Sequence, residues 1–121
     1  MIEKSIIGST THVDFGKRAV GVPAKIDTGA DSSAVWATKI RVDKDGVLRF
    51  ALFGEGSPYY NGKIFKRTDY MVAKVRSSSG HEQIRYRTHF TVTVKGRRIR
   101  ALFNLSDRSV NLYPVLIGRR T

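Results

Sequence analysis

Cysteine is absent from this 121-residue chain, which excludes disulfides and thiolate metal ligands and leaves the redox compartment open. Histidine is scarce: His12, His81 and His89 are the only three, and none lies four residues from another, the spacing a helical zinc site uses. No Gly-Lys-Ser/Thr phosphate loop is present, so nucleotide hydrolysis of that type has no motif to stand on. Long apolar runs are missing as well. No stretch approaches the length of a membrane span, and the opening "MIEKSIIGSTTHVDFGKRAV" carries Glu3 and no uninterrupted apolar segment, which argues against a secretory signal. These absences set the expectation of a cytoplasmic protein without metal, cofactor or membrane anchor, folded as one domain over residues 1–121.

Acidic residues are the other shortage, and they are unevenly distributed. Residues 1–60 hold eight Lys/Arg against seven Asp/Glu, whereas residues 61–121 hold fourteen against three. The net charge of +12 therefore sits almost entirely in the second half, and such a field attracts polyanions: nucleic acid, an anionic surface or an acidic polypeptide.

What is present is strand-like patterning. "FTVTVKGRRIRALFNL" alternates Phe90, Val92 and Val94, turns at Lys95-Gly96 and returns through Ile99, Ala101 and Phe103. "YMVAKVRSSSGHEQIRYRTHF" alternates Met71, Ala73 and Val75, turns at the serines and returns through Ile84, Tyr86 and Thr88. "GVLRFALFGEGSPYYNGKIF" places an apolar run before a Gly/Ser/Pro-rich loop over 54–62. Helical periodicity is poor throughout. The pattern predicts an all-β fold, a small closed barrel or sandwich.

One strand poses a question. "AVGVPAKIDTGADSSAVWA" reads as an apolar approach with period two (Val20, Val22, Ala24, Ile26) that ends on Asp27-Thr28-Gly29. A carboxylate at the end of a buried strand is costly unless it is paired, hydrogen-bonded or used. Taken alone, the triplet is also what an Asx-type turn looks like.

The wider context narrows this. "KIDTGADSSAVW" together with "VLIGRR" resembles the retropepsin type of aspartic protease, and the match is closer to a bacterial set often labelled "ATP-dependent zinc proteases". That set shares a Ser-Ser-x-Gly-His turn, a basic strand after it, and an "L-x-D-R-S…Y-P-x-L-x-G-R-R" ending; here these are "RSSSGHEQIRYR" and "LSDRSVNLYPVLIGRR". The resemblance covers roughly residues 18–120. It implies a closed barrel of the retropepsin type with one lobe per chain, and hydrolysis of peptide bonds. The zinc and ATP of the label find no ligand set or phosphate loop in these residues.

Hydrolysis by carboxylates needs two of them sharing one proton across a water, because close like charges cannot both ionise cheaply. The chain has one Asp-Thr-Gly. Leu105-Ser106-Asp107-Arg108, the other Asp-centred candidate, lacks the glycine and has a basic neighbour. The resemblance therefore implies a homodimer in which each copy supplies Asp27, with Thr28 bridging the axis and Gly29 allowing close backbone approach. It further implies that Ala30 and Asp31 bind substrate main chain, that Asp31 pairs with Arg119, and that Gly118 packs against the catalytic loop. A mobile hairpin covering the cleft falls on Lys74–Tyr86, with Ser77, Ser78, Ser79 and Gly80 at its tip and Arg76 and Arg85 beside it. Lys74, Arg76, Arg85 and Arg87 suit an acidic peptide substrate, and members of this set are linked to removing glutamate tails from a ribosomal protein. The loop over 54–62, with Tyr59 and Tyr60, is a second candidate substrate contact, and Trp36 reads as core. The chain stops at Thr121, where the family continues into a short helix and the viral enzymes into a terminal strand that knits the dimer.

A reading of a different class is a non-catalytic basic β-barrel holding RNA, a ribosomal surface or an acidic tail. Tyr59, Tyr60, Tyr70 and Tyr86 would stack beside the arginines in that case. Asp27 discriminates, because a barrel that only binds polyanions has no use for a carboxylate there.

Overall fold

The computed structural model describes residues 9–76 and 79–119. Nine strands form in chain order: β1 (Ser9–Phe15), β2 (Ala19–Asp27), β3 (Ser33–Val42), β4 (Leu48–Leu52), β5 (Ile64–Arg67), β6 (Met71–Arg76), β7 (Glu82–Val94), β8 (Arg97–Ser106) and β9 (Val115–Gly118). Among the described residues there is no helix, so none is long and apolar enough to cross a membrane. Six strands close a ring in the order β3, β8, β7, β1, β2, β9 and back to β3. The expected all-β closed barrel is present.

The seam of the ring is unusual in its connectivity. β9 runs parallel to β2, aligning Ala24 with Val115 and Asp27 with Gly118, and antiparallel to the start of β3, aligning Val35 with Val115. β3 also runs parallel to β8 over Ser33–Trp36. Its far half leaves the ring and pairs with β4, which in turn pairs with β5. This ribbon folds over the barrel and completes the core. All six phenylalanines meet there: Phe15 packs edge-on against Phe53 and Phe90, Phe50 stacks on Phe65 at 5.2 Å, and Phe90 lies 5.8 Å from Phe103. Edge and offset contacts of this kind add to the area term of each buried ring.

Two local features depart from simple alternation. Val20 is 61% exposed, whereas Ala19 and Val22 are buried, so Val20 does not belong to the apolar face with Val22 and Ala24. The cause is a bulge: the β1–β2 register shifts between Val13 and Phe15, Gly21 adopts φ +70°, and its N–H donates to Asp14 Oδ1 at 2.7 Å. One extra residue in β2 inverts the faces of everything before it. The second feature is β7, a single 13-residue strand serving both expected hairpins. Its outer half pairs with β6 and its inner half with β8 through the Lys95-Gly96 turn, where both residues have positive φ. β6 pairs with β7 alone, so the hairpin stands out from the ring with Val72 and Ile84 each 57% exposed.

Trp36 is half-buried on the outer side of β3, under the loop that follows β4. Phe53 N–H donates to Trp36 O at 2.8 Å, and a Cβ at Gly54 would fall 2.6 Å from Trp36 Cζ2. Gly54→Ala must therefore displace the indole, and its urea midpoint should drop by the equivalent of about 1–3 kcal/mol with an unchanged slope.

Candidate active site

β2 delivers the site. Because β2 and β9 are parallel and in register at Asp27 and Gly118, two strand ends meet at one rim, and the loop 28–32 leaves between them. The loop is clasped by backbone. Asp27 O accepts the Ala30 N–H at 3.1 Å, and Ala30 O accepts the Arg119 N–H at 2.9 Å. The buried Ser33 Oγ accepts the Gly118 N–H at 3.0 Å. A Cβ at Gly118 would lie 2.5 Å from Ser32 O and 3.0 Å from Ala30 O, so glycine is what lets the strand approach the loop.

Within this frame Asp27 is half-buried, and its Oδ1 accepts the Gly29 N–H at 2.9 Å. A Cβ on Gly29 would come within 3.2 Å of the same oxygen. Thr28 is half-buried beside it. Arg119 reaches Asp31 with a guanidinium-carboxylate contact, both side chains largely exposed. Such a pair contributes under about 1 kcal/mol to stability, so its value lies in fixing the orientation of Asp31. The structure thus brings together Asp27, Thr28, Gly29, Ala30, Asp31, Gly118 and Arg119.

The hairpin residues stand apart from this group. Ser79 and Gly80 are exposed at its end, Gly80 with φ +87°, and Arg76 is exposed opposite Glu82. Ser77 and Ser78 lie outside the described residues. Arg85 is half-buried and lines a recess of about 470 Å³ between the hairpin and the end of β8, together with Ile84, Leu105, Asp107 and Arg108. Asp107 does not resemble a second catalytic acid: the Ser109 hydroxyl and N–H hold its carboxyl below the usual carboxylate range.

The residues missed by sequence reasoning are Lys25 and Arg108. Asp27 opens into a recess of about 380 Å³ whose wall includes Lys25, Arg108, Leu112, Tyr113 and Leu116. Lys25 precedes Asp27 by two positions and so shares its face of β2, a signal that strand periodicity alone carried. Arg108 had no such signal, because a loop places it: its Nε donates to Tyr113 O at 3.0 Å and Asn111 N–H returns to Arg108 O. Burial holds the Arg108 guanidinium below the ordinary arginine value, and the residue lines both this recess and the one beneath the hairpin. Val110 and Leu112, at 96% and 84% exposure, stand on the same loop.

A further recess, bounded by Pro23, Trp36, Tyr59, Leu112 and Pro114, brings the loop over 54–62 beside the Asp27 recess through their shared Leu112. Tyr59, Tyr60, Tyr70 and Tyr86 are all partly buried against the core, and Tyr70 and Tyr86 pack on each other at 6.0 Å. Among the described residues no three His, Asp or Glu side chains converge in a way that could hold a metal ion.

The family model described as "Retropepsin-like aspartic endopeptidase RimB" matches residues 6–121. The crystal structure of a Legionella pneumophila protein of unknown function (DUF785) is similar at 25% sequence identity with a TM-score of 0.68, covering 93% of this chain and 82% of that one. No curated protein matches.

Proposed function

This chain belongs to the RimB-like family of retropepsin-like aspartic endopeptidases, and from that premise we propose that two copies join about a twofold axis to hydrolyse acidic, glutamate-rich peptides. The observation that carries this is the Asp27 recess: one carboxylate held by the Gly29 N–H, in a wall that also bears Lys25 and Arg108.

Among the described residues Asp27 is the one acid that lines this recess, and Asp31 is paired with Arg119, so a site that both takes and gives a proton needs Asp27 from two subunits. One carboxylate takes a proton from the attacking water while the other, protonated, donates to the carbonyl oxygen of the scissile bond. Collapse of the resulting diol returns a proton to the leaving nitrogen. Lys25 and Arg108 bind the side-chain carboxylates flanking that bond, and Asp31, held by Arg119, accepts main-chain N–H groups. Hairpin β6–β7 lies over the peptide, its exposed Val72 and Ile84 finding cover there, and the exposed Val110 and Leu112 face the substrate or the second subunit. The outer face of β7–β8 carries Arg87, Arg98 and Arg100, and it docks the polyanionic partner from which the tail projects, a ribosomal surface in this reading.

Charge reversal tests the reading. Wild type should cut an oligoglutamate-tailed peptide in preference to the same peptide with glutamines. Lys25→Glu should lower that preference about ten- to hundredfold, and Arg108→Gln should act in the same direction. Equal cutting of both peptides by wild type, or a preference that Lys25→Glu leaves intact, would remove the acidic-substrate assignment.

A further inference from the structure

The barrel end remote from Asp27 carries a feature that peptide hydrolysis does not use. β2 begins there, nine residues long, so its start lies roughly 25 Å from the carboxylate. The turn between β1 and β2 and the end of β5 enclose a recess of about 280 Å³ lined by Lys17, Arg18, Phe65, Arg67, Phe90 and Thr91. The Arg18 guanidinium lies 4.5 Å from the centroid of Phe65, and that of Arg67 lies 5.3 Å from the same ring and 5.2 Å from Phe90. One phenyl ring thus holds two guanidinium groups, with a lysine in the same wall.

Among the described residues no acid answers them. Among the described residues the ion pairs are Asp43–Arg49 and Asp31–Arg119, so neither Arg18 nor Arg67 has a carboxylate partner. Burial first, and the neighbouring Arg18 charge second, hold Arg67 below the ordinary arginine value. Arginine keeps its proton in proteins, so both positive charges stand at the Phe65 ring without a carboxylate among the described residues to offset them. The turn is built to hold its place: Asn61 Nδ2 donates to Arg18 O at 3.2 Å, and Arg18 N–H donates to Phe15 O.

We propose that this recess binds a phosphomonoester group, either inorganic phosphate or the terminal phosphate of a nucleotide. A carboxylate brings one charge and two oxygens, which satisfies one guanidinium fork. A phosphomonoester brings a charge of about −1.5 to −2 and three acceptor oxygens, enough to serve both guanidinium groups at the Phe65 ring. Lys17 supplies a further point charge at the rim.

The test reads binding alone and so stands apart from the peptidase reading. Backbone amide shifts of the full chain are followed while inorganic phosphate, AMP or acetate is added at constant ionic strength. Saturable shifts confined to Gly16–Arg18, Arg67 and Thr91 are expected with phosphate and absent with acetate. Arg18→Gln, at an exposed turn where folding is not at stake, should weaken binding at least tenfold, and Arg67→Gln should do the same. Saturation by AMP at a lower concentration than phosphate assigns the site to a nucleotide; the reverse order assigns it to free phosphate. Shifts that never saturate, that spread over the basic β7–β8 face, that acetate reproduces, or that persist in Arg18→Gln overturn the proposal.

Discussion

Asp27→Asn should abolish peptide cleavage, lowering kcat/KM by about four orders of magnitude or more, while the melting temperature stays within about 2 °C of wild type. Both halves follow from the local geometry. Asparagine keeps a carbonyl oxygen at the position of Oδ1, so the Gly29 N–H retains its acceptor and the loop keeps its shape. What disappears is the group that takes a proton from water. The same variant reports on the twofold site. In an equal mixture of wild-type and Asp27→Asn chains at exchange equilibrium, about a quarter of dimers keep both carboxylates. Activity per wild-type chain should then fall by about half, and further with excess mutant. Activity indifferent to the mutant would mean that one chain carries a complete site, and the dimeric mechanism would have to be abandoned.

Gly118→Ala should be among the most damaging single substitutions in the chain. Its Cβ would lie 2.5 Å from Ser32 O, 2.6 Å from Ser32 C and 3.0 Å from Ala30 O, all main-chain atoms with little room to yield. Moving β9 away strains the Gly118 N–H bond to Ser33 Oγ and the Arg119 N–H bond to Ala30 O, both of which hold the Asp27 loop. A loss of about 3 kcal/mol or more is expected, roughly 10–15 °C in melting temperature, with activity reduced further than the folded fraction accounts for. Gly29→Ala is the informative contrast. Its Cβ meets only Asp27 Oδ1 at 3.2 Å, so stability should fall little and catalysis much. Equal melting temperatures for wild type and Gly118→Ala would show that the loop tolerates a wider separation from β9 than this packing allows.

Legibility from sequence tracked how local the determining interaction was. The Lys95-Gly96 hairpin was readable because both its turn chemistry and its alternation lie within a few residues, and the box around Asp27 was readable because resemblance supplied its partners. Val20 was misplaced because a bulge is set by a glycine in a left-handed conformation and an Asp14 hydrogen bond from the neighbouring strand, neither of which alters apolar spacing. The two short hairpins were seen, but not that one strand, β7, belongs to both. Lys25 was within reach of the argument that found Asp27, since both lie on one face; Arg108 was not, because a loop anchored to Tyr113 carries it into the recess. The guanidiniums of Arg18 and Arg67 come from the β1–β2 turn and the end of β5 and meet at the Phe65 ring, and no sequence interval marks them.

The seam at β9 has a consequence in time. Gly118 and Arg119, which clasp the Asp27 loop, lie about ninety positions further along the chain, so their pairing carries one of the largest loop-closure costs in the molecule. Hairpins β1–β2 and β7–β8 can form as soon as their own residues are available, while the loop after Asp27 has no clasp until β9 arrives. During synthesis the carboxylate is therefore made early and takes its loop geometry only after β9 has followed it, so the chemistry of the site is tied to the completion of the barrel seam.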